Sequence, residues 1–160
     1  STIVDDKPKN LLEIQNSFLK PCLSELQFLN LTSIQKKVIP ELLKGKDVLF
    51  GSETGSGKTF AFLAPLMIRL KLEELEANLP PGEFLAKPNR PRALILVPSR
   101  ELLMQINAVA KKLSCVLKLR VRALSGEQLA VSQKVTLKKG MDLLITTPGR
   151  LVDHREHKNL

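Results

Sequence analysis

The hydrophobic positions of this 160-residue chain fall into short apolar runs separated by longer amphipathic stretches. The runs 47–50, 92–97, 119–124 and 142–146 are nearly continuous in apolar residues, which predicts four short buried β-strands. Apolar residues recur at helical spacing over 32–44, 58–76, 99–113 and 128–139. Strands that alternate with helices predict an α/β fold in which helices cover both faces of a parallel sheet, a three-layer arrangement.

The ends of this pattern predict how the chain is organised. Residues 1–31 form an N-terminal flank with one or two short helices over 10–30, broken near Pro21, and residues 32–160 form the α/β domain. Four prolines and one glycine over 77–91 predict a surface loop. The turns 51–59, 98–101 and 147–150 each follow a predicted strand. Because ligands collect at the carboxyl ends of parallel strands, we expect these turns to share one rim.

The first of these turns has the composition of a phosphate-binding loop. It reads GSETGSGKT and nearly fits G-x-x-x-x-G-K-[ST], with Ser52 in the place of the first glycine. Gly55 and Gly57 let backbone N–H groups converge on an anion, Lys58 can reach phosphate oxygens, and the Thr59 hydroxyl can hold Mg²⁺. The alternative is a Gly/Ser turn with an incidental exposed lysine. The order of strand, loop and helix favours phosphate binding.

The net charge of +9 changes the picture because it lies in one half of the chain. Residues 87–160 hold 15 basic and 5 acidic residues, whereas residues 1–86 are nearly neutral. A basic surface of this kind suits a polyanion, although lysine-rich solvated helices would give the same count. The chain has no Trp or Tyr, and all six Phe precede the basic half. A nucleic acid would therefore be held there by phosphate and sugar. We expect Lys111 to lie on a helix away from the rim and to matter less for this contact.

The cysteines and histidines predict neither a disulfide nor a metal site, and the apolar runs predict no membrane span. We expect Cys22 and Cys115 to be small buried apolar residues in a reducing compartment, and His154 and His157 to be exposed helix residues, not metal ligands. No apolar run approaches the roughly 18 residues of a membrane span. We expect an intracellular protein; the mitochondrion, nucleolus and cytoplasm all stay open as its compartment.

Four motifs, taken in order, resemble the first RecA-like domain of DEAD-box ATP-dependent RNA helicases. The resemblance covers nearly the whole chain. Each motif alone is modest evidence, but the four motifs in this order are specific to the family. The matching residues are Ser52, Glu53, Thr54, Gly55, Ser56, Gly57, Lys58 and Thr59 (A-x-T-G-S-G-K-T in the family), Pro98, Ser99, Arg100, Glu101 and Leu102 (P-T-R-E-L), Ser125 and Gly126 (Gly-Gly), and Thr147, Pro148, Gly149 and Arg150 (T-P-G-R).

The resemblance implies a role for each motif. The loop 52–59 would bind ATP, with Lys58 and Thr59 as catalytic residues and Thr59 holding Mg²⁺ through the nucleotide. The turns 98–101, 125–126 and 147–150 would bind the sugar-phosphate backbone of RNA, with Thr147 and Gly149 closest. Arg100 has an alternative role as the partner of Glu101 or of another acid.

The segment Thr32-Ser33-Ile34-Gln35 has two interpretations. It fits a helix capping box, in which Gln35 only returns to the Thr32 amide. The family instead uses this glutamine, beside Thr32, to bind adenine. The family's upstream aromatic, which stacks on adenine, would fall at residues 10–12, which are Asn-Leu-Leu, so adenine selectivity would be weaker here. Leu31 also stands where the family has proline, and we expect Phe28 to be core.

The function implied is the ATP-binding half of a helicase that unwinds short RNA duplexes or remodels RNA–protein complexes, ribosome assembly being one such process. The protein would be a monomer that binds RNA and a ribonucleoprotein assembly, and no membrane. The alternative is a catalytically silent RNA-binding scaffold of the same fold. Asp142 begins its strand, at the wrong end for Mg²⁺, and the D-E-A-D segment and second RecA-like domain are not within these 160 residues. We therefore expect a whole enzyme to hydrolyse ATP and this stretch alone to be inactive.

Overall fold

The computed structural model describes residues 11–80, 83, 85–126, 135 and 137–157, with side chains from residue 16 onward. The helices are α1 (Leu11–Glu25), α2 (Ser33–Leu43), α3 (Lys58–Glu76), α4 (Arg100–Leu117) and α5 (Pro148–Glu156); the strands are β1 (Ala93–Leu96), β2 (Val121–Leu124) and β3 (Leu143–Thr146). The predicted helix 128–139 lies largely outside the described residues. The side chains of residues 10–12, where the upstream aromatic would fall, also lie outside the described part.

The three strands form a parallel sheet in the order β1-β3-β2. All four residues of the central strand β3 are buried. Leu143 and Ile145 belong to the main core with α1, α3 and α4, whereas Leu144 packs with Leu124, Leu137 and Met141 in a second core. Successive strand residues point to opposite faces, so both faces of the sheet are covered. The predicted α/β fold is confirmed.

The predicted strand 47–50 is wrong. Residues 46–50 are not in a strand, and the Leu49 side chain is fully exposed. An apolar run becomes a strand only when a neighbouring strand accepts and donates its backbone hydrogen bonds. In the described part of the chain, β1 pairs with β3 alone. Residues 46–50 do not pair with the other edge of β1. The phosphate loop is therefore preceded by a segment that lies outside the sheet.

Two helices are longer than their sequences predict. Helix α1 continues through Pro21 to Glu25, and its buried residues Leu19 and Cys22 pack into the main core, which offsets the hydrogen bond that proline removes. Helix α4 ends at Leu117, because Lys118 adopts a left-handed conformation with φ of 53° and donates its N–H to the Ser114 carbonyl.

Burial separates the two cysteines. Cys22 is buried as expected, but Cys115 is exposed, so the prediction for Cys115 is wrong. It lies on the solvent side of α4, between the buried residues Leu113 and Leu117 that form the packed stripe of this helix. No helix in the described part of the chain has the length and apolar content needed to cross a membrane.

Candidate functional site

Helix α2 begins with a reciprocal cap that is also bonded to the phosphate loop. The Thr32 N–H donates to Gln35 Oε1 at 2.9 Å, and the Gln35 N–H donates to Thr32 Oγ1 at 3.5 Å. The predicted capping box is therefore formed. In addition, Gln35 Nε2 donates to the Gly57 carbonyl at 3.2 Å, and Thr32 Oγ1 donates to the Ser56 carbonyl at 2.8 Å.

These bonds bear on how Gln35 could bind adenine. Its side chain is only 1% exposed, and both ends of its amide already have partners. A base could be bound by this amide only if the bond to the Gly57 carbonyl were broken or shared. Adenine contact by Gln35 stays a prediction, whereas its role in holding the loop is a feature of the structure.

Two glycines allow the loop to curve in front of helix α3. Gly55 and Gly57 have φ of 79° and 91°, which side chains other than glycine rarely adopt. Gly57 is constrained a second time, because a Cβ there would lie 3.3 Å from Thr32 Oγ1 and closer still to the Gln35 amide. The cap on α2 and the loop therefore fit together only with glycine at position 57.

The Lys58 ammonium lies inside the curve of its own loop. Its Nζ donates to the Ser52 and Glu53 carbonyls, each at 2.5 Å, and the Ser52 and Ser56 hydroxyls share a short hydrogen bond. The positive charge is thus placed where the loop amides and the N-terminus of α3 also converge. To bind a phosphate, Lys58 would exchange at least one carbonyl for a phosphate oxygen.

Two cavities flank the loop, each within the range of small-molecule sites. One of about 460 Å³ lies between the start of α2 and residues 51–53 and 56. The other, of about 410 Å³, is lined by residues 27–30 together with Thr32, Gln35, Gly55 and Gly57. Phe28 lines this second cavity and is 41% exposed, resting edge-to-face on Phe60 with ring centroids 5.4 Å apart. The prediction that Phe28 is core is wrong, because the turn after α1 leaves one side of its ring uncovered.

Helix α4, which follows the turn after β1, lies close to the phosphate loop. A cavity of about 590 Å³ is lined by residues 54, 55 and 57–60 of the loop and α3 and by Leu102, Gln105, Val109 and Lys112 of α4. Ser99 caps α4 by accepting the Leu102 N–H at 3.3 Å. The pKa of Glu101 is lowered by its own backbone N–H, then by the Ser99 hydroxyl and least by the Arg100 charge. Arg100 and Glu101 are both exposed.

The turns after β2 and β3 are bonded to each other. Arg150 Nη2 donates to the Gly126 carbonyl at 2.6 Å, and the buried Thr146 Oγ1 donates to the Leu124 carbonyl at 3.2 Å. The Val97 N–H donates to the Thr146 carbonyl at 3.0 Å, which places the turn 98–101 beside them. The carboxyl ends of the three strands therefore bring all predicted RNA-contact turns to one rim, with Pro148 and Gly149 exposed.

An ion-pair network at the opposite ends of the strands was missed by sequence reasoning. The Asp142 carboxylate contacts Arg92 Nη1 at 3.1 Å and accepts the Arg120 N–H at 2.8 Å. Arg92 also donates to the Leu70 carbonyl at 2.6 Å and to Glu73 at 2.9 Å. Three of these residues stand directly before a strand: Arg92, Arg120 and Asp142. This shared position was the signal in the sequence from which the network could have been predicted. Asp142 is thus held in an ion-pair network at the end of the strands opposite the rim.

One of the two histidines, His154, differs from the prediction that both are exposed. His154 is buried, with 3% of its surface exposed, whereas His157 is exposed and its Nδ1 lies 2.7 Å from the Asp153 carbonyl. The buried position shows that the inner face of α5 includes residue 154. In the described ranges, no group of three or more His, Cys, Asp or Glu side chains could hold a metal ion.

Comparisons with known proteins agree with this geometry. A family model described as DEAD/DEAH box helicase matches residues 32–160. DEAD-box ATP-dependent RNA helicase 39 of Arabidopsis thaliana is 40% identical over 162 residues, covering 96% of this chain and 25% of that protein. A human protein named as an ATP-dependent DNA helicase is 41% identical over 137 residues, covering 84% of this chain and 15% of that protein.

The fold has the same relatives. The crystal structure of the yeast DEAD-box splicing factor Prp28 matches with a TM-score of 0.76 at 31% identity, covering 97% of this chain and 36% of that one. The chain spans between 11% and 27% of the length of the first curated relatives it matches. Because the family model covers most of the chain and these relatives share its sequence and fold, the chain belongs to the DEAD/DEAH box helicase family.

Proposed function

We propose that this chain is the ATP- and RNA-binding domain of an ATP-dependent RNA helicase that unwinds short duplexes or remodels RNA–protein complexes. The observation that carries the proposal is the joining of the loop 52–59 to the Thr32–Gln35 cap, close to the rim where the turns 98–101, 125–126 and 147–150 meet. A nucleotide that moved the loop would act on residues within reach of the RNA.

The loop fits a nucleotide phosphate with Mg²⁺. The backbone curves through positive φ at Gly55 and Gly57, Lys58 places a cation inside the curve, and Thr59 stands in the first turn of α3. These residues would hold and orient the phosphates and the metal ion. ATP, when bound, supplies the free energy of phosphoryl transfer. Lys58 would neutralise phosphate charge, and Thr59 would offer its hydroxyl as an Mg²⁺ ligand.

The rim would hold RNA through its backbone. It offers the N-terminus of α4, the exposed turn at Pro148 and Gly149, and the Arg150 side chain. Helix N-termini and turn amides bind phosphate without reading the base. We therefore propose contacts that are sequence-independent, made by a monomer that works within a ribonucleoprotein assembly.

The described strand ends explain why this stretch is proposed not to turn over ATP by itself. β1, β2 and β3 end in Leu96, Leu124 and Thr146, and the residue after each is also uncharged. Phosphoryl transfer needs an acid there to hold Mg²⁺ and orient water. The second candidate function, an RNA-binding scaffold without turnover, rests on the same observation.

Nucleotide binding is tested by calorimetry with ADP and ATP on the wild type, Lys58→Ala and the control Lys36→Ala. Lys36 is an exposed lysine on α2. We expect Lys58→Ala to abolish measurable binding and Lys36→Ala to leave it unchanged, with equal circular dichroism for all three. Equal affinity in wild type and Lys58→Ala would refute the phosphate-loop interpretation.

RNA binding is tested with Arg150→Glu and the control Arg155→Glu, which makes the same charge change at an exposed position of α5. In fluorescence anisotropy, Arg150→Glu should weaken binding to oligouridine and oligoadenine alike, from an affinity that is micromolar at best, about −8 kcal/mol. DNA oligomers belong in the series, because one relative is named as a DNA helicase. Strong preference for one base, or tighter binding of DNA than RNA, would contradict the proposal.

A further inference from the structure

A basic groove lies between α4 and the outer edge of β2, outside the rim turns. It has a volume of about 340 Å³ and opens beside Ser125, the last residue it shares with the rim. Eight of the described residues line it: Leu103, Met104, Asn107, Lys111, Arg122, Ala123, Ser125 and Lys139. None of these eight is acidic. The groove includes Lys111, whose helix the sequence predicted to lie away from the rim.

Three cations, Lys111, Arg122 and Lys139, line this groove, and no carboxylate is among its described lining residues. Lys111 Nζ donates to the Val121 carbonyl at 2.8 Å, which fixes its ammonium between α4 and β2. The pKa of Lys111 is lowered, first by burial and then by the charge of Arg122. An anion placed among these side chains would offset both effects. The crowded charge thus indicates a negatively charged ligand.

Two uncharged side chains of the lining, Asn107 and Met104, suit a nucleic acid. Asn107 lies between the two ends of the groove, and its buried Oδ1 makes no hydrogen bond with the described residues. Exchange of its amide oxygen and nitrogen would turn a donor to that place, so the amide can adapt to a hydroxyl or a phosphate oxygen. Met104 is 53% exposed and offers an apolar surface for a sugar or base.

The length of the groove fits a few nucleotides. Helix α4 rises about 1.5 Å per residue, so Leu103 and Lys111 are about 12 Å apart along its axis. A stacked strand advances about 3.4 Å per nucleotide, and the groove therefore spans about three nucleotides. Ser125, at the end of the groove nearest the rim, connects the groove to the turn 125–126. The RNA strand would continue from that turn into the groove.

We propose that this groove is a second RNA track, in which Lys111, Arg122 and Lys139 bind phosphates of the single strand beyond the part held by the rim. The proposal rests on the RNA binding proposed above and extends it to residues outside the family motifs. An acidic protein segment could also match the charge, but it would have no use for a groove continuous with the rim at Ser125.

The test compares a short oligouridine that covers only the rim with one that is about three nucleotides longer. The variant Arg122→Gln/Lys139→Gln removes two cations and keeps the bond from Lys111 to Val121. The control Lys138→Gln/Lys20→Gln removes two exposed cations outside the groove, one of them adjacent to Lys139. Circular dichroism and thermal melting show that all proteins fold alike.

We expect the wild type to bind the longer oligomer more tightly and with a steeper salt dependence. Each phosphate contact contributes about 0.7 to the slope of log affinity against log salt. The groove variant should lose about 1.4 of slope with the long oligomer and nothing with the short one. The control should match the wild type with both.

Three results would overturn the proposal. If the wild type binds both oligomers with one slope, the groove takes no RNA although the rim does. If polyglutamate binds in a manner that depends on Arg122 and Lys139 while the longer RNA gains nothing, the ligand is an acidic protein segment. If neither oligomer binds, the proposed RNA function fails first, and the groove proposal with it.

Discussion

Replacing Gln35 by glutamate changes its side-chain amide to a carboxyl group. This side chain is buried where the cap of α2 meets the phosphate loop. The new side chain keeps an oxygen that accepts the Thr32 N–H, now at 2.9 Å from Oε1. It loses the Nε2 donor that bonds the Gly57 carbonyl at 3.2 Å. When ionised, the carboxylate would instead face that carbonyl, with two acceptors opposed at a site that is 1% exposed.

The cost of this change depends on pH. A buried carbonyl without its donor costs about 1–3 kcal/mol. Burial also raises the pKa of the new carboxyl above the ordinary value of about 4.3, because the charged form is desolvated. When protonated, the carboxyl can donate to the Gly57 carbonyl and restore the bond. The folded state therefore binds the proton more tightly than the unfolded state, so stability falls as pH rises from about 4.3 through the folded pKa.

The assay is urea unfolding of Gln35→Glu and wild type at two pH values, near the unfolded pKa and well above it. We expect a loss of about 2–3 kcal/mol at neutral pH and a smaller loss in acid, from a total stability of about 5–15 kcal/mol. Nucleotide affinity should fall as well, because a negative charge adjoins the phosphate loop. The control Gln105→Glu makes the same change at an exposed position of α4.

This role of Gln35 would be refuted if the loss of unfolding free energy did not change with pH, or if it matched the loss in the Gln105→Glu control. Either result would mean that the Gln35 amide does not hold the loop. Unchanged nucleotide affinity beside a large, pH-dependent loss of stability would separate the two roles: the cap would be structural, and the loop would bind phosphate independently of it.

Three further predictions concern other residues. Gly57→Ala should abolish nucleotide binding in calorimetry, because a Cβ there meets the capping side chains and φ is 91°; retained affinity would contradict this. Asp142→Asn should lower the free energy of unfolding in urea by about 1.5–3 kcal/mol, because its charge is buried between arginines, whereas exposed Asp153→Asn should cost less than about 1 kcal/mol; equal losses would contradict it. A maleimide should modify Cys115 in the native chain and Cys22 only after unfolding, because Cys22 is buried and burial raises the pKa of its thiol to about 11. Mass spectrometry would identify the modified cysteine, and modification of Cys22 before Cys115 would contradict the prediction.

The features that could be predicted from the sequence are those set by neighbouring residues. Thr32 and Ser99 cap their helices as expected, because the donor and acceptor of each cap are three residues apart. The apolar run of β3 correctly predicted a strand that is buried on both faces of the sheet. The rim could be predicted because parallel strands send their carboxyl ends to one edge.

The features that could not be predicted depend on partners distant in the sequence. Arg92 meets Asp142 across 50 residues, and Gln35 meets Gly57 across 22, so local patterns do not show either contact. The segment 47–50 has the composition of a strand but no bonded neighbour among the described residues. Phe28 and His154 differ from expectation for the same reason, since exposure is decided by which elements pack over a side chain.

The outer edge of β1 has a practical consequence for solubility. β1 has β3 as its only hydrogen-bonded neighbour among the described strands, and Leu94 and Leu96 are each about half exposed. Backbone groups on such an edge can pair with a strand of another molecule, and apolar side chains strengthen that pairing. Concentrated solutions of the chain should therefore aggregate through this edge, and charged substitutions at Leu94 or Leu96 should keep it monodisperse.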